Sequence, residues 1–382
     1  MAMNIHALKL QDVDYGNQWF DQVENRWDYQ NFQQSPAWRS GWISMDCALY
    51  RPQDDRVYLG ITSFAADIFK AYDRRTGQFV DLGYSRIADP YDAKFHRSLV
   101  VGPDDCLYAA QALLHDVDRY WEAPGASIVR YDCTSGDIVK LGVPMPHTYI
   151  QALALDAARE RLYCLCFPPE KLLLYELRTG ASRDLGLIGT YGPMVQGENI
   201  VVDDAGCVWT NWSLTRAWQS EAGPDAIRLG KYDPEQERMV FSRHGLPRPD
   251  GSYGHAKAES FHNFGDGYVY AGGANGSFYR IDPETFQATL LCTPTADRRS
   301  RLSSLAPGED GAVYGVTGRD GQCEFMRLDY RKGSYEKLGP VRDEEGNALW
   351  QNHDIAAAGE GVFYICENDN PYRSSYLWEV SL

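Results

Sequence analysis

The chain lacks an excess of positive charge. Of its 382 residues, 37 are Lys or Arg and 53 are Asp or Glu, which gives a formal net charge of −16. A surface with this average charge repels phosphate groups. We therefore expect no nucleic-acid partner and no binding to an anionic membrane.

Long hydrophobic runs are missing too, since no stretch reaches the roughly 20 apolar residues of a membrane span. The first residues, MAMNIHALKL, lack the apolar core of a signal peptide. The nine cysteines are an odd number without a CxxC pair, which is typical of buried, reduced thiols. We expect a cytoplasmic protein, or a periplasmic one if a leader has been removed.

Several enzyme signatures are absent. There is no GxSxG, no P-loop and no GxGxxG motif, which argues against an α/β-hydrolase, a nucleotide hydrolase and a dinucleotide enzyme. A long helical period is also missing, and this disfavours a two-domain α/β protein.

What the sequence does contain is a repeat of about 50 residues. Turns rich in Asp and Gly lead into short strands with a central aromatic residue, as in PDDCLY, GDGYVY and EDGAVY. A second turn signal follows, as in YDRRTG and YDCTSG. Each unit reads as four antiparallel strands, and seven units predict an all-β, seven-bladed β-propeller. The aromatic residues of the repeat are Tyr58, Tyr108, Tyr163, Trp209, Tyr270, Tyr314 and Phe363-Tyr364.

We expect one domain that covers residues 1–382. The seventh unit stops at SYLWEVSL, which supplies only a third strand. The segment before Gly41 is expected to provide the fourth strand and to close the ring, because closure removes an exposed sheet edge.

In a propeller, the innermost strands begin on the same face as the loops between second and third strands. This geometry predicts that His96 and Arg97 open an inner strand and meet the segment 115–121 at a central funnel. The other inner strands open with polar residues as well: Asp46, Gln151, Glu198, Asn199, Glu259, Arg301 and Gln351–Asn352–His353.

The funnel face carries groups that suit an acidic sugar. Guanidinium groups hold carboxylates in a bidentate manner, and aromatic loop residues stack on sugar rings. His96, Gln351 and His353 could cluster around Mn²⁺ or Ca²⁺, although no spacing matches a metal motif; a site without a cofactor stays open. The predicted substrate-binding residues are His115, Arg119, Tyr120, Trp121, His147, Gln151, Asn199, Trp212, Arg216, Trp218, His255, Glu259 and Arg301.

The stretches HRSLVVGPDDCLY, HDVDR, PHTYIQ and QNHDIA resemble those of bacterial seven-bladed propeller polysaccharide lyases, of the ulvan, oligogalacturonate and rhamnose-glucuronate types. The resemblance implies β-elimination from a uronate-containing glycan, with a His as base and a Tyr as acid. It implies that His96 is the base, Tyr149 the acid and Arg97 the carboxylate ligand, with His353 as the rival base or a metal ligand. Gln351 and His353 resemble the metal ligands of the oligogalacturonate enzymes.

Two alternatives remain open. Glu198 and Glu259 could serve as the two carboxylates of a glycoside hydrolase that uses the same funnel. A propeller without catalytic activity that binds a sugar or a protein is the third reading.

Overall fold

The computed structural model describes residues 3–14, 41–64, 67–113, 121–189, 195–213, 227–252, 255–295 and 300–382. Within these ranges the chain consists of β-strands and turns, with one short 3-10 helix at Tyr84–Arg86. The predicted all-β class is confirmed. Among the described residues, no helix has the length and apolar character to cross a membrane.

The chain divides into two compact units. The first contains residues 1–149, 319–324 and 338–382, and the second contains residues 150–318 and 325–337. The single domain and the count of seven blades stay predictions. All nine cysteines are free and seven of them are buried, as expected for reduced thiols.

Two four-stranded antiparallel sheets lie at the start of the first unit. Their orders are β2-β3-β4-β5 and β7-β8-β9-β10, and β6 joins them because it pairs with both β3 and β8. The bounds are β1 (Asn4–Leu8), β2 (Ile43–Arg51), β3 (Arg56–Ser63), β4 (Phe69–Asp73), β5 (Gln78–Asp81), β6 (Asp92–Phe95), β7 (Val100–Val101), β8 (Leu107–Leu113), β9 (Ile128–Tyr131) and β10 (Ile138–Gly142).

Four further sheets follow in chain order, each with its strands in sequential arrangement. They are β11 to β14, β15 to β18, β21 to β24 and β25 to β28, and β19 pairs with β20 alone. The bounds are β11 (Tyr149–Asp156), β12 (Arg161–Phe167), β13 (Lys171–Glu176), β14 (Ser182–Leu187), β15 (Val201–Val202), β16 (Val208–Trp212), β17 (Arg228–Asp233), β18 (Arg238–Phe241), β19 (Leu246–Pro247), β20 (His255–Ala256), β21 (Ala258–Asn263), β22 (Val269–Gly273), β23 (Phe278–Ile281), β24 (Ala288–Cys292), β25 (Leu305–Pro307), β26 (Val313–Thr317), β27 (Glu324–Asp329) and β28 (Ser334–Pro340).

The last sheet contains β29 (Asn352–Ala357), β30 (Val362–Glu367) and β31 (Leu377–Ser381). Its fourth strand is β1, which pairs with β31 over its whole length, from Asn4 opposite Ser381 to Leu8 opposite Leu377. The N-terminal strand therefore completes the sheet formed by the end of the chain. Closure of a ring by this strand stays a prediction.

The repeated turn motif has a physical explanation. The hydroxyl of the buried Tyr58 donates to Asp54 in the preceding turn, at 2.6 Å. A buried hydroxyl without a partner is costly, so the turn aspartate allows the aromatic ring to enter the core. The same bond, over the same spacing, joins Tyr108 to Asp104, Tyr270 to Asp266 and Tyr314 to Asp310.

The second turn signal joins the third strand of a sheet to the fourth. In the first sheet, the carboxylate of Asp73 accepts the N–H groups of Arg75 and Thr76, at 3.1 and 3.3 Å. The N–H of Gly77 donates to the carbonyl of Asp73 at 2.9 Å, and Gly77 has a φ of +67°. This φ lies in the left-handed region, which glycine occupies at little cost.

Candidate metal centre

Three buried polar side chains converge in the first unit: Asp46, His96 and His353, which are 0%, 3% and 2% exposed. One carboxylate oxygen and one nitrogen from each imidazole all lie within 4.8 Å of one another. The two imidazole rings meet edge to face, with centroids 4.6 Å apart. Among the residues that the structure describes, this is the only such group of metal-ligating side chains. We call it the His–Asp–His cluster.

Two of its members lie at β-bulges. The pairing of β2 with β3 shifts between Met45 and Cys47, so Asp46 is the extra residue. The pairing of β29 with β30 shifts between Asn352 and Asp354, so His353 is the extra residue. A bulge breaks the alternation of side chains along a strand. It therefore lets Asp46 be buried between two buried neighbours.

His96 reaches the cluster differently. It follows β6 and precedes β7, and both of these strands pair with β8. The prediction that His96 opens an inner strand stays a prediction. His96 lies just ahead of β7, the first strand of its sheet, and directly after β6, which pairs with both β3 and β8.

The carboxylate of Asp46 is held by three side chains. Its Oδ2 accepts the hydroxyl of Thr62 at 2.5 Å, and its Oδ1 lies 3.2 Å from the Nζ of Lys94. The amide of Asn368 donates to Oδ1 at 3.4 Å. The ammonium group offsets the cost of burying this carboxylate and adds a positive charge beside the two imidazoles.

The orientation of His353 is fixed by its ring nitrogen Nδ1, which lies 2.5 Å from the main-chain oxygen of Asp46. A carbonyl oxygen only accepts hydrogen bonds, so Nδ1 carries the proton and donates. The lone pair of the neutral ring is then on Nε2. Metal-bound histidines have this arrangement, in which a backbone carbonyl fixes the tautomer.

Arg97 belongs to the framework of the cluster. Its Nη1 donates to the carbonyl oxygen of His353 at 2.9 Å, and its Nη2 lies 3.2 Å from Oδ1 of Asp354. The side chain of Arg97 is only 7% exposed. These contacts correct the expectation that Arg97 faces a funnel to receive a substrate carboxylate, because its guanidinium binds the protein itself.

The metal ligands expected from the sequence are corrected in the same way. The side-chain amide of Gln351 donates to Asn368 at 3.1 Å, which places Gln351 beside the cluster and not within it. His353 is confirmed as a member of the cluster, and Asp46 takes the place of Gln351. Two imidazoles and one carboxylate suit a first-row transition metal such as Mn²⁺, whereas Ca²⁺ takes oxygen ligands.

The other residues of the first unit that were predicted to act on or bind substrate are not members of the His–Asp–His cluster. Trp121 is 76% exposed, and its ring contacts that of His147 edge to face at 5.2 Å. The Nδ1 of His147 lies 2.9 Å from the carbonyl oxygen of Ala123. Tyr149, the predicted acid, is buried and lines a small cavity that also includes Gln111. His115, Arg119 and Tyr120 lie outside the described residues.

The second unit contains a different polar cluster, formed by Glu198, Lys257, Glu259 and Arg301. The Nη1 of Arg301 hydrogen-bonds to one oxygen of Glu198 and, at 2.8 Å, to one of Glu259. Lys257 lies 3.2 Å from the other oxygen of Glu259. We call it the Glu–Arg–Glu cluster. Both buried carboxylates are paired with cations. This pairing disfavours the hydrolase reading, which needs one carboxyl group to hold a proton.

Glu259 also lies at a bulge, since the pairing of β21 with β22 shifts between Ala258 and Ser260. A β-bulge therefore carries a polar residue in each of the two units. The sugar-binding role of Glu259 and Arg301 stays a prediction; in the structure their side chains bind each other.

Two other predicted substrate-binding residues of the second unit, Asn199 and Trp212, form hydrogen bonds with main-chain groups. The side chain of Asn199 donates to the carbonyl of Phe261 and accepts its N–H, at 2.9 and 2.7 Å. The indole N–H of Trp212 donates to the carbonyl of Ser242 at 3.2 Å. Gln151 is half-buried on β11. Arg216 and Trp218 lie outside the described residues.

His255, at the start of β20, is half-buried. Burial lowers the pKa of its imidazole, and the nearby charges of Arg228, His244 and Arg248 lower it further. These surroundings favour the neutral ring.

Comparisons with known proteins identify the fold. No family model and no curated protein matches the sequence. Among solved structures, the chain aligns with virginiamycin B lyase from Staphylococcus aureus at 12% identity, over 100% of both chains, with a TM-score of 0.61. It aligns with an oligogalacturonate lyase in complex with manganese at 12% identity, over 89% of this chain and 90% of that one, with a TM-score of 0.59.

A third match is the extracellular domain of BT4673 from B. thetaiotaomicron, at 12% identity and a TM-score of 0.58. It covers 88% of this chain, which spans only 38% of the length of that protein. At such identities the likeness establishes the fold alone. These neighbours are β-propeller proteins, and the chain has a β-propeller fold.

Proposed function

We propose that this chain is a lyase that cleaves a uronate-containing oligosaccharide by β-elimination, with its chemistry at the His–Asp–His cluster. The observation that carries the proposal is the convergence of Asp46, His96 and His353 within 4.8 Å. Two further findings support it. The fold is shared with a lyase that binds manganese, and the cluster residues include the His96 and His353 of the lyase-like motifs.

The chemistry of β-elimination explains why such a cluster is useful. The base must remove the proton at C5 of the uronate, and this proton becomes acidic only when the adjacent carboxylate is neutralised. A divalent metal held by Asp46, His96 and His353 would supply that positive charge. Lys94, at 3.2 Å from Asp46, adds a second cation.

The residues of the chain prepare this site in two ways. The carbonyl of Asp46 holds the imidazole of His353 in the tautomer whose Nε2 can bind a metal or accept a proton. Burial of all three side chains limits access of water, which strengthens their electrostatic interactions. With both imidazoles holding the metal, the base of the reaction would be a group outside the cluster.

A lyase assay tests the proposal. The metal-free protein, with and without added Mn²⁺, is incubated with oligosaccharides from polygalacturonate, ulvan and rhamnose-glucuronate polymers. Far-ultraviolet absorbance reports the unsaturated uronate. We expect product with Mn²⁺, its loss on addition of a chelator, and a decrease of at least about 100-fold in kcat for His353→Gln. His244→Gln, at an exposed histidine of the second unit, is the matched control and should behave as wild type.

Three other results of this assay would each point to a different function. Activity that persists in chelator but is lost in His96→Gln makes His96 the base of a metal-free lyase. New reducing ends without the absorbance would show a hydrolase and contradict the proposal. Binding of a sugar without any product would show a propeller that only binds it.

A further inference from the structure

We infer that Arg97 and Asp354 form a positioning clamp that sets the geometry of the His–Asp–His cluster and thereby its affinity for a divalent metal. The inference rests on the metal centre of the proposed function. It assigns Arg97 a role different from that of binding a substrate carboxylate.

The clamp joins the three chain segments that carry the cluster. Oδ2 of Asp354 accepts the main-chain N–H of Ala48 at 3.1 Å, two residues beyond Asp46 on β2. Oδ1 of Asp354 lies 3.2 Å from Nη2 of Arg97, which adjoins His96. Nη1 of Arg97 then donates to the carbonyl of His353 at 2.9 Å. One ion pair thus fixes all three segments.

The bulges explain why such a clamp is needed. Regular pairing with a neighbouring strand holds a residue in place, but the extra residue of a bulge has no residue directly opposite it in the ladder. Asp46 and His353 are both extra residues, and His96 lies in the interruption between β6 and β7. The hydrogen bonds of Arg97 and Asp354 are made at or next to these irregular positions. They therefore take the place of the hydrogen bonds that a regular strand pair would form there.

Burial makes the clamp rigid. The side chains of Arg97 and Asp354 are 7% and 14% exposed, so the pair is screened little by solvent. The planar guanidinium makes its two contacts in a fixed fork, which a lysine ammonium cannot reproduce. Small errors in ligand position weaken metal binding, and loss of an outer partner typically lowers affinity about 10- to 100-fold.

The experiment measures Mn²⁺ affinity by isothermal titration calorimetry on the metal-free, full-length protein, and the Mn²⁺ environment by electron paramagnetic resonance. Asp354→Asn keeps the size of the side chain and an acceptor for Ala48 but removes the charge that binds Arg97. We expect it to weaken Mn²⁺ binding about 10- to 100-fold and to alter the spectrum. Asp354→Asn with Arg97→Gln should be little worse than either change alone, because both remove one unit.

The matched control is Asp55→Asn, which breaks another Arg–Asp pair of the same unit, with Arg74 at 2.6 Å. Asp55 has a φ of +56°, which asparagine tolerates. Thermal unfolding of the metal-free variants shows the structural cost of each change. The control should lose stability without any change in Mn²⁺ affinity.

Unchanged affinity and spectrum in Asp354→Asn would overturn the clamp, as would a folded wild-type protein that binds no Mn²⁺. Wild-type Mn²⁺ binding that is weakened in Asp354→Asn, together with no uronate product, leaves the clamp standing and removes the proposed lyase activity. The two ideas therefore fail separately.

Discussion

The two polar clusters of this molecule begin with the same backbone device and differ in what surrounds it. In the first unit, bulges carry Asp46 and His353, and in the second unit a bulge carries Glu259. Beside the single carboxylate of the His–Asp–His cluster lie two imidazoles and the ammonium group of Lys94. The Glu–Arg–Glu cluster combines two carboxylates with two cations.

A polar side chain at a bulge is therefore not sufficient to form a group of metal-ligating side chains such as the one at Asp46, His96 and His353. Arg301 and Lys257 engage the carboxylates of the second cluster. In the first cluster, two imidazoles and a carboxylate place one ligand atom each within 4.8 Å of one another. We therefore expect the first cluster to bind metal and the second to stabilise the fold.

The largest expected effect is the loss of stability when the Glu–Arg–Glu cluster is broken. Arg301→Met removes the cation shared by Glu198 and Glu259 and leaves two buried carboxylates with only Lys257. Breaking a buried ion pair costs about 3 to 5 kcal/mol, and the partial exposure of Arg301 places the expected loss near the lower figure, at about 3 kcal/mol. Urea unfolding measures it.

Arg301→Lys keeps the positive charge and should lower the free energy of unfolding less than Arg301→Met does. Equal urea midpoints for wild type and Arg301→Met would mean that the carboxylates do not depend on this arginine, and the paired-carboxylate hydrolase would return as a candidate.

A second experiment compares the two clusters by measuring how added Mn²⁺ changes the Tm of variants of each. A ligand that binds only the folded state at 100 times its Kd stabilises that state by about 2.7 kcal/mol. We expect Mn²⁺ to raise the Tm of wild type and of Arg301→Lys by equal amounts, and to leave the Tm of His96→Gln nearly unchanged. A gain in Tm that survives in His96→Gln would place the metal elsewhere.

The smallest expected effect concerns pH and His255. Its pKa is lowered in the folded state, chiefly by burial, so the unfolded chain takes up a proton at a higher pH than the folded one. As pH falls below about 6.5, the ordinary pKa of histidine, this difference lowers the free energy of unfolding.

His255→Gln should lose stability less steeply than wild type between neutral and mildly acidic pH. Urea unfolding at a series of pH values measures the two slopes. Identical slopes would show that the ring of His255 takes up a proton as easily in the folded protein as in the unfolded one.

The fold could be predicted because its signals are local and repeated. Turn aspartates, positive-φ glycines and one aromatic residue per second strand recur in the sequence. The structure explains four of the aromatic residues by a hydrogen bond to a turn aspartate, as for Tyr58 with Asp54. The pairing of β1 with β31 was also foreseen, from the truncated last unit.

The centre could be predicted only in part. His96 and His353 were identified from their position in the repeat. Asp46 was noted only as a polar residue of an inner strand, because a one-residue bulge leaves no periodic signal in the sequence. The partner of Arg97 is 257 positions away along the chain, at Asp354, and no local pattern reveals such a pair.

The order of the strands in the last sheet has a consequence for folding. Asn4–Leu8 pairs with Leu377–Ser381, which lies far along the sequence from it. A contact between such distant segments forms slowly, because a long stretch of chain must be ordered before the two strands can meet. Until β1 arrives, β31 presents an open edge to solvent, so aggregation of partly folded chains should depend on this pairing.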